Sequence, residues 1–320
     1  MIRVSHDTFK LAQVFTIARG SRTEAHVLSV TLEREGVTGR GECVPYARYG
    51  ESLDSVTAQI ESLPQGISRA ELQEALPAGA ARNAVDCALW DWEAKKKGVP
   101  VWELAGLDKP VSQTTAYTLS LDEPEKMRAA AAEHAHRPLL KIKLGTPEDM
   151  PRLRAVREGA PEAKIIVDAN EGWEIETFLD IQAELKKLGV ALVEQPLPAA
   201  GDEALSDIQR LVPICADESC HTRDGLTDLR GKYDVINIKL DKTGGLTEAL
   251  RLRDLARAEG FGVMVGCMVG SSLAMAPAML VAQGADYVDL DGPLLLAEDR
   301  DVPLRYKGSV VEPPEPELWG

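Results

Sequence analysis

The chain has 320 residues, enough for two domains or for one α/β barrel with an appendage. A hydrophobic share of 44% and a charged share of 27%, with no low-complexity tract, exclude a disordered chain. The formal net charge of −15 argues against nucleic acid and anionic membranes as partners, because phosphates are bound by clustered Lys and Arg.

A site for an anionic substrate must reverse that field locally, with a metal ion or grouped lysines. The opening MIRVSHDTFK is charged and lacks the apolar core of a secretory signal. The five cysteines (Cys43, Cys87, Cys215, Cys220, Cys267) show no Cys-x-x-Cys spacing, which predicts reduced thiols and a cytoplasmic setting. Alternation over residues 26–32 and a Gly-containing turn over 35–41 predict a hairpin. Helical spacing of Val85, Leu89 and Trp92, lysines in the last turn and Gly98 as a stop predict a helix over 80–97. Residues 1–111 thus form a small α+β unit.

From residue 112 onward, apolar runs that end in a polar residue alternate with amphipathic helical patterns, the signature of a parallel sheet. The closing residues Thr118, Lys141, Asp168, Glu194, Asp217, Lys239, Cys267 and Asp289 lie 22 to 28 residues apart, one strand-helix unit each. The count predicts a (β/α)-barrel over 112–297, with all these residues at the C-terminal mouth where such barrels build their sites. Residues 261–285 hold no charge, yet Gly266, Gly270 and Pro277 break them into a buried strand, a turn and a buried helix instead of a membrane span. The tail, 298–320, is Pro-rich and is expected to pack back on the N-terminal unit.

Asp168, Glu194 and Asp217 end three consecutive strands. Three hard carboxylates with no His or Cys beside them suit Mg2+ better than zinc. Lys141 and Lys143 are two apart on one strand and share its inward face, and Lys239 lies four strands later, across the mouth. Lysines in apolar β-branched runs need a reason, because an unpaired buried ammonium is costly. Abstraction of a proton next to a carboxylate supplies one, and the neighbouring Lys141 ammonium together with the divalent metal is expected to lower the Lys143 pKa towards the useful range. Two bases on opposite faces of a planar intermediate imply racemisation or epimerisation. Asp289 and Asp291, again co-facing, suit a substrate ammonium at the end of the site away from the metal acids.

The segments KIK, VDAN, VEQP, ADES and NIKL, in this order, resemble the muconate-lactonizing subgroup of the enolase superfamily, and AARNAVDCALWDWEAKKKG resembles its capping domain. A Lys base with Mg2+ stabilising an ene-diolate is a known pattern of that superfamily. The Asp289-x-Asp291 pair is similar to the ammonium-holding motif of its dipeptide epimerases. FTIARGSR, CADESCHTR and NIKLDKTGGLTEAL look like the proteobacterial members acting on L-Ala-D/L-Glu. The resemblance implies a modified (β/α)7β barrel capped by the N-terminal segment and the tail. It implies one Mg2+ per site on Asp168, Glu194 and Asp217, with Lys143 and Lys239 as the acid/base pair and Lys141 on the substrate carboxylate. Thr118 and Cys267 match substrate-contacting positions, and Arg19 or Arg22 would read the glutamate side chain. The implied reaction is 1,1-proton transfer at the α-carbon of the C-terminal residue of a small dipeptide through an enediolate, in murein peptide metabolism; a homo-oligomer is left open.

N-succinylamino acid racemisation, o-succinylbenzoate synthesis and lactone isomerisation could use the same barrel. Their substrates lack a free α-ammonium, so the Asp pair weighs against them. A non-catalytic binding barrel would be expected to have lost a metal ligand or a lysine, and none is lost.

Overall fold

Three antiparallel strands open the chain, β1 (Ile2–Ile17), β2 (Gly20–Arg34) and β3 (Val37–Cys43), followed by α1 (Leu53–Glu61), α2 (Arg69–Ala75), α3 (Ala80–Lys97) and α4 (Val101–Leu104). The computed structural model describes all 320 residues. β2 and β3 turn on Glu35 and Gly36 alone, with φ of 52° and 74°, as a two-residue hairpin that keeps the strand twist requires. The turn expected over 35–41 is therefore too long, and its other glycines serve packing. A Cβ on Gly39 would stand 2.1 Å from the Ala88 carbonyl oxygen, and one on Gly41 2.1 Å from that of Ala84, so α3 lies on β3 at backbone distance.

α3 covers the predicted residues and ends at Gly98 in the left-handed conformation. The Glu51 carboxylate holds its N-terminus, accepting the Ala80 N–H at 2.8 Å, where a negative charge also suits the helix dipole.

After β4 (Gln113–Thr114), eight strands form one parallel sheet in chain order: β5 (Tyr117–Leu119), β6 (Leu139–Lys143), β7 (Lys164–Asp168), β8 (Val190–Glu194), β9 (Ile214–Ala216), β10 (Val235–Ile238), β11 (Gly262–Val265) and β12 (Tyr287–Val288). Helices α5 (Pro124–Glu133), α6 (Asp149–Gly159), α7 (Ile175–Lys187), α8 (Leu240–Thr243), α9 (Leu246–Ala258) and α10 (Ser272–Val281) fill most crossovers. The crossovers on either side of β9 carry only 3-10 turns where full helices were expected. Pro198 and Gly201 in one, Gly225 and Gly231 in the other, leave no long uninterrupted helical stretch.

The sheet curls until its edges meet. Ala116 N–H donates to the Val288 carbonyl at 2.7 Å, and Leu290 N–H to Thr115 Oγ1 at 2.8 Å. Inside it, Ala116, Leu139, Ile166, Leu192, Cys215, Val235 and Met264 form a buried apolar layer, with Tyr287 packed against it. Side chains two residues on point the same way. The next inward layer towards the strand ends is therefore Thr118, Lys141, Asp168, Glu194, Asp217, Asn237, Gly266 and Asp289. The apolar layer closes the interior below, and a polar layer stands on it at the C-terminal mouth.

The tail strands β13 (Tyr306–Lys307) and β14 (Val310–Val311) form a hairpin, and β14 pairs with β4. Further on, Trp319 Nε1 donates to the Cys87 carbonyl at 3.0 Å and Gly320 N–H to Asp91 Oδ1 at 2.8 Å, both on α3. No helix is long and apolar enough to cross a membrane.

Candidate active site

Register fixes the floor of the pocket. Lys143 pairs with Asp168, and Asp168 with Glu194, in the β6-β7-β8 ladder; Glu194 pairs with Cys215, which sets Asp217 one step beyond the end of β9. Lys141, Asp168, Glu194 and Asp217 are each 2% exposed or less. At that burial every charge needs a partner. Lys141 Nζ stands 2.8 Å from Glu194 Oε2, 2.8 Å from Asp289 Oδ2 and 3.2 Å from Asp168 Oδ2. Lys143 Nζ donates to Asp168 Oδ2 at 2.6 Å, and Lys239 Nζ to Asp217 Oδ2 at 2.7 Å.

Two residues that the strand-end pattern did not single out support these acids from behind. Lys242, on α8, donates from Nζ to Asp217 Oδ1 at 2.6 Å, to the Asn237 carbonyl at 3.0 Å and to the Asp217 carbonyl, which uses all three of its protons. Asn237 Nδ2 donates to Glu194 Oε1 at 2.8 Å. Gly266 makes room for that amide, since a Cβ there would stand 2.6 Å from Asn237 Oδ1. The signal for Asn237 lay in its position two residues before Lys239, on the same strand face.

Burial pulls Lys141 down, but Asp289, Glu194, Asp168 and Asp217 outweigh it and hold the ammonium above its usual range. At Lys239 burial is likewise overcome, chiefly by Asp217. Burial raises Glu194, with Asp168 beside it adding to the shift, whereas Lys239, Lys242 and Lys141 bring Asp217 down against its burial.

As they stand, the acidic side chains form no ready metal cage, and their oxygens are engaged by the lysine ammonium groups. The donor set nevertheless fits a hard divalent cation. One ammonium, Lys141, already spans three carboxylates as a cation would, and Glu194 Oε2, though close to it, is buried without a hydrogen bond.

At the other end, Asp291 Oδ2 accepts the Thr118 N–H at 2.6 Å, and burial together with Asp289 pushes Asp291 up to about 7. Asp289 Oδ1 is buried without a partner. The two ends are closer than expected: Asp289 shares Lys141 with Asp168 and Glu194. Cys267 lines the same pocket, its thiol raised by burial and by the Asp pair.

The roof comes from the first strands and the loop after β3. Arg19 is spoken for: it donates to Glu218 Oε1 at 2.8 Å, the Asn170 carbonyl at 2.7 Å and Tyr46 Oη at 3.2 Å. Arg22 lines the pocket with its guanidinium 5.3 Å from the Tyr46 ring centre and forms no ion pair. Tyr49 packs edge-on against His221 and also lines the pocket. Glu218 is buried with Oε2 unpartnered. Glu218 could have been suspected beside Asp217, whereas nothing in the sequence pointed to Tyr49.

Residues 1–106 match the mandelate racemase/muconate lactonizing enzyme N-terminal domain, and residues 124–316 match the enolase C-terminal domain-like family. The chain belongs to the enolase superfamily. Among superfamily relatives, it is 48% identical over 311 residues to the L-Ala-D/L-Glu epimerase of Escherichia coli K12, covering 95% of this chain and 97% of that one. It is 47% identical over 300 residues to the N-acetyl-D-glutamate racemase of a Pseudoalteromonas species, covering 92% and 95%. Its structure matches a crystal structure of an enolase family member from Agrobacterium tumefaciens with homology to dipeptide epimerases, which holds sodium and L-Ala-L-Glu. The TM-score is 0.98 at 54% identity, covering 100% of this chain and 99% of that one.

Proposed function

We propose that the protein is a Mg2+-dependent epimerase of L-Ala-D/L-Glu-type dipeptides, inverting the α-carbon of the C-terminal residue. The observation that carries this reading is the placing of Lys143 and Lys239 in one pocket from strands four apart, with the three acid-bearing strands between them. The capped (β/α)7β division belongs to the same proposal: a capping unit over 1–111, the barrel over 112–297 and the returning tail over 298–320. So do the cytoplasmic setting and the murein peptide source.

Asp168, Glu194 and Asp217 would hold one Mg2+, which supplies electrostatic stabilisation of the negative charge that develops on the substrate carboxylate. Lys141 pairs with that carboxylate. One of Lys143 and Lys239, in its neutral form, takes the α-proton, leaving a planar enediolate against the Lys141 ammonium. The other lysine, as ammonium, returns a proton to the opposite face, and the configuration is inverted. Asp289 and Asp291 hold the N-terminal ammonium, with Thr118 and Cys267 beside them. Of the two arginines, Arg22 is the reader of the glutamate side chain, since Arg19 is occupied by Glu218.

The Pseudoalteromonas relative gives a second reading, racemisation of an N-acylated glutamate. Against it stands the pair of buried carboxylates Asp289 and Asp291, which has one ammonium, Lys141, beside it and suits a second that an N-acyl group cannot provide. Incubation with Mg2+ in D2O, followed by mass spectrometry, separates the two. Deuterium is expected at the glutamate α-carbon of L-Ala-D-Glu and L-Ala-L-Glu. Exchange of N-acetyl-D-glutamate with none in either dipeptide would sink the dipeptide reading.

A further inference from the structure

Behind the acids of the pocket floor lies a buried polar network that the proton transfer does not use. Gln195 follows Glu194 directly, is fully buried and has a φ of 37°, a left-handed backbone that a residue with a long side chain rarely adopts. Its side chain crosses to the next strand end, where Oε1 accepts the Asp217 N–H at 2.9 Å and the Ser219 N–H at 3.1 Å. Its Nε2 faces the Leu197 carbonyl, Ser219 Oγ and Tyr233 Oη, each at 2.9 Å. One amide therefore ties the strand end of Glu194 to that of Asp217.

The tie works in one orientation of the amide only. Turned over, its NH2 would meet two backbone N–H groups and its oxygen the Leu197 carbonyl, although the two hydroxyls could still donate to that oxygen. Asp202 removes this last option. It stands between the two 3-10 turns of the crossover from β8 to β9 and is 1% exposed. Its Oδ2 accepts from Ser219 Oγ at 2.6 Å and from Tyr233 Oη at 2.7 Å, and its Oδ1 from Lys232 Nζ at 2.6 Å. Each hydroxyl has one proton and gives it to Asp202, so the two oxygens, 3.1 Å apart, face Nε2 as acceptors.

With Asp168, Glu194 and Asp217 read as the Mg2+ acids, as above, we propose that Asp202 is a positioning residue for the metal site. Through Ser219 and Tyr233 it orients the Gln195 amide, and the amide holds the Asp217 backbone in place beside Glu194. Asp202→Asn reverses the polarity of this chain. Lys232 can only donate, so it keeps the asparagine oxygen on its side, and the new NH2 turns to the hydroxyls. Their protons then point at Gln195, and Nε2 loses two of its three acceptors.

The test measures the Mg2+ dissociation constant of the chelator-treated protein by titration calorimetry, with its metal-free Tm, for the wild type, Asp202→Asn, Gln195→Met and Glu194→Gln. Asp202→Asn and Gln195→Met should each bind Mg2+ about tenfold or more weakly, the usual scale for partners that orient metal ligands. Neither residue lines the pocket, so kcat on L-Ala-L-Glu should return to within about threefold of wild type once Mg2+ saturates. A lowered Tm with an unchanged dissociation constant in both variants, the mark of a purely structural network, overturns the proposal. A loss confined to Gln195→Met overturns the part of Asp202, as does failure of Asp202→Asn to fold. If Gln195→Met does not fold, Asp202→Asn decides alone. Glu194→Gln should bind more weakly than either; binding as tight as in the wild type would show that the three acids do not hold the metal, and the proposal would fall with that reading.

Discussion

Lys141, Asp168, Glu194 and Asp217, on the pocket floor, stand on or just past adjacent strands and are at most 2% exposed, while the roof residue Arg19 keeps 29% of its side chain exposed. The floor is held by backbone ladders and by ion pairs of 2.6 to 3.2 Å; the roof is held by side chains reaching from the chain's first residues to loops roughly 150 to 200 positions away. A floor atom has few alternatives, and chemistry that depends on sub-ångström placement belongs there. A roof on exposed side chains can admit, shape and release a ligand. Substitutions in the floor should therefore act on kcat, and those in the roof on KM.

The largest effect is expected at the lysines. Lys143→Ala and Lys239→Ala should each reduce epimerisation by a factor on the order of 10²–10⁴, the usual contribution of a positioned acid or base. Each should retain slow α-proton exchange with only the epimer that faces its surviving lysine, and the two should choose opposite epimers. Deuterium incorporation into L-Ala-L-Glu and L-Ala-D-Glu, measured separately, checks this. If both variants exchange the same epimer, the lysines do not flank the α-carbon.

At the end of the floor, Asp291→Asn tests the ammonium site. Leaving a desolvated ammonium without its carboxylate costs roughly 2–5 kcal/mol, which is about 30-fold or more in kcat/KM for L-Ala-D-Glu. N-acetyl-D-glutamate has no ammonium to lose, so its kcat/KM, low in the wild type, should change little. Equal losses on both substrates would place Asp291 in support of the barrel mouth instead.

The floor was more legible than the roof for a physical reason. In a parallel sheet the strand end converts a local pattern into a spatial one, so Asp168, Glu194 and Asp217 could be placed together from spacing alone. Lys242 escaped notice because it stands on α8, one turn beyond the strand end, where a lysine ordinarily faces water. β1 itself was not read from the sequence: it is the edge strand beside β2, and its residues are half-buried or exposed, so no strong apolar alternation marks it. Tyr49 and the engagement of Arg19 by Glu218 depend on loops meeting, which no periodicity encodes.

In the roof, Arg22→Ala should raise KM for L-Ala-D-Glu by about tenfold, a low value for a charge-assisted hydrogen bond because the site is open to water. It should leave L-Ala-D-Ala, which lacks the side-chain carboxylate, within about twofold. Arg19→Ala should affect both dipeptides alike, since it removes a strut between Glu218, Asn170 and Tyr46. Steady-state kinetics on the two substrates decide the matter, and a glutamate-selective loss with Arg19→Ala would reverse the assignment.

The smallest effect concerns the joint between floor and roof. Asp241, on α8 two residues after Lys239, accepts the Val44 N–H from the end of β3 at 3.0 Å and an Asn83 Nδ2 proton from α3 at 2.9 Å. Burial, with Glu51 and Glu42 facing it, pushes Asp241 up to about 7. In the unfolded chain an aspartate titrates near ~3.9. Between these values the unfolded chain has released a proton that the folded protein keeps, so stability falls as pH rises, by at most about 1.4 kcal/mol per pH unit for one group. Asp86, pushed up to about 6 by burial, acts with the same sign at lower pH and is untouched by a change at Asp241. Asn can still accept the Val44 proton, so Asp241→Asn should fold, and its urea-unfolding free energy should fall less steeply than that of the wild type between about pH 6 and 7. Parallel profiles would show that Asp241 releases its proton in both states alike, and that the joint between roof and floor holds a charge instead of a neutral acid.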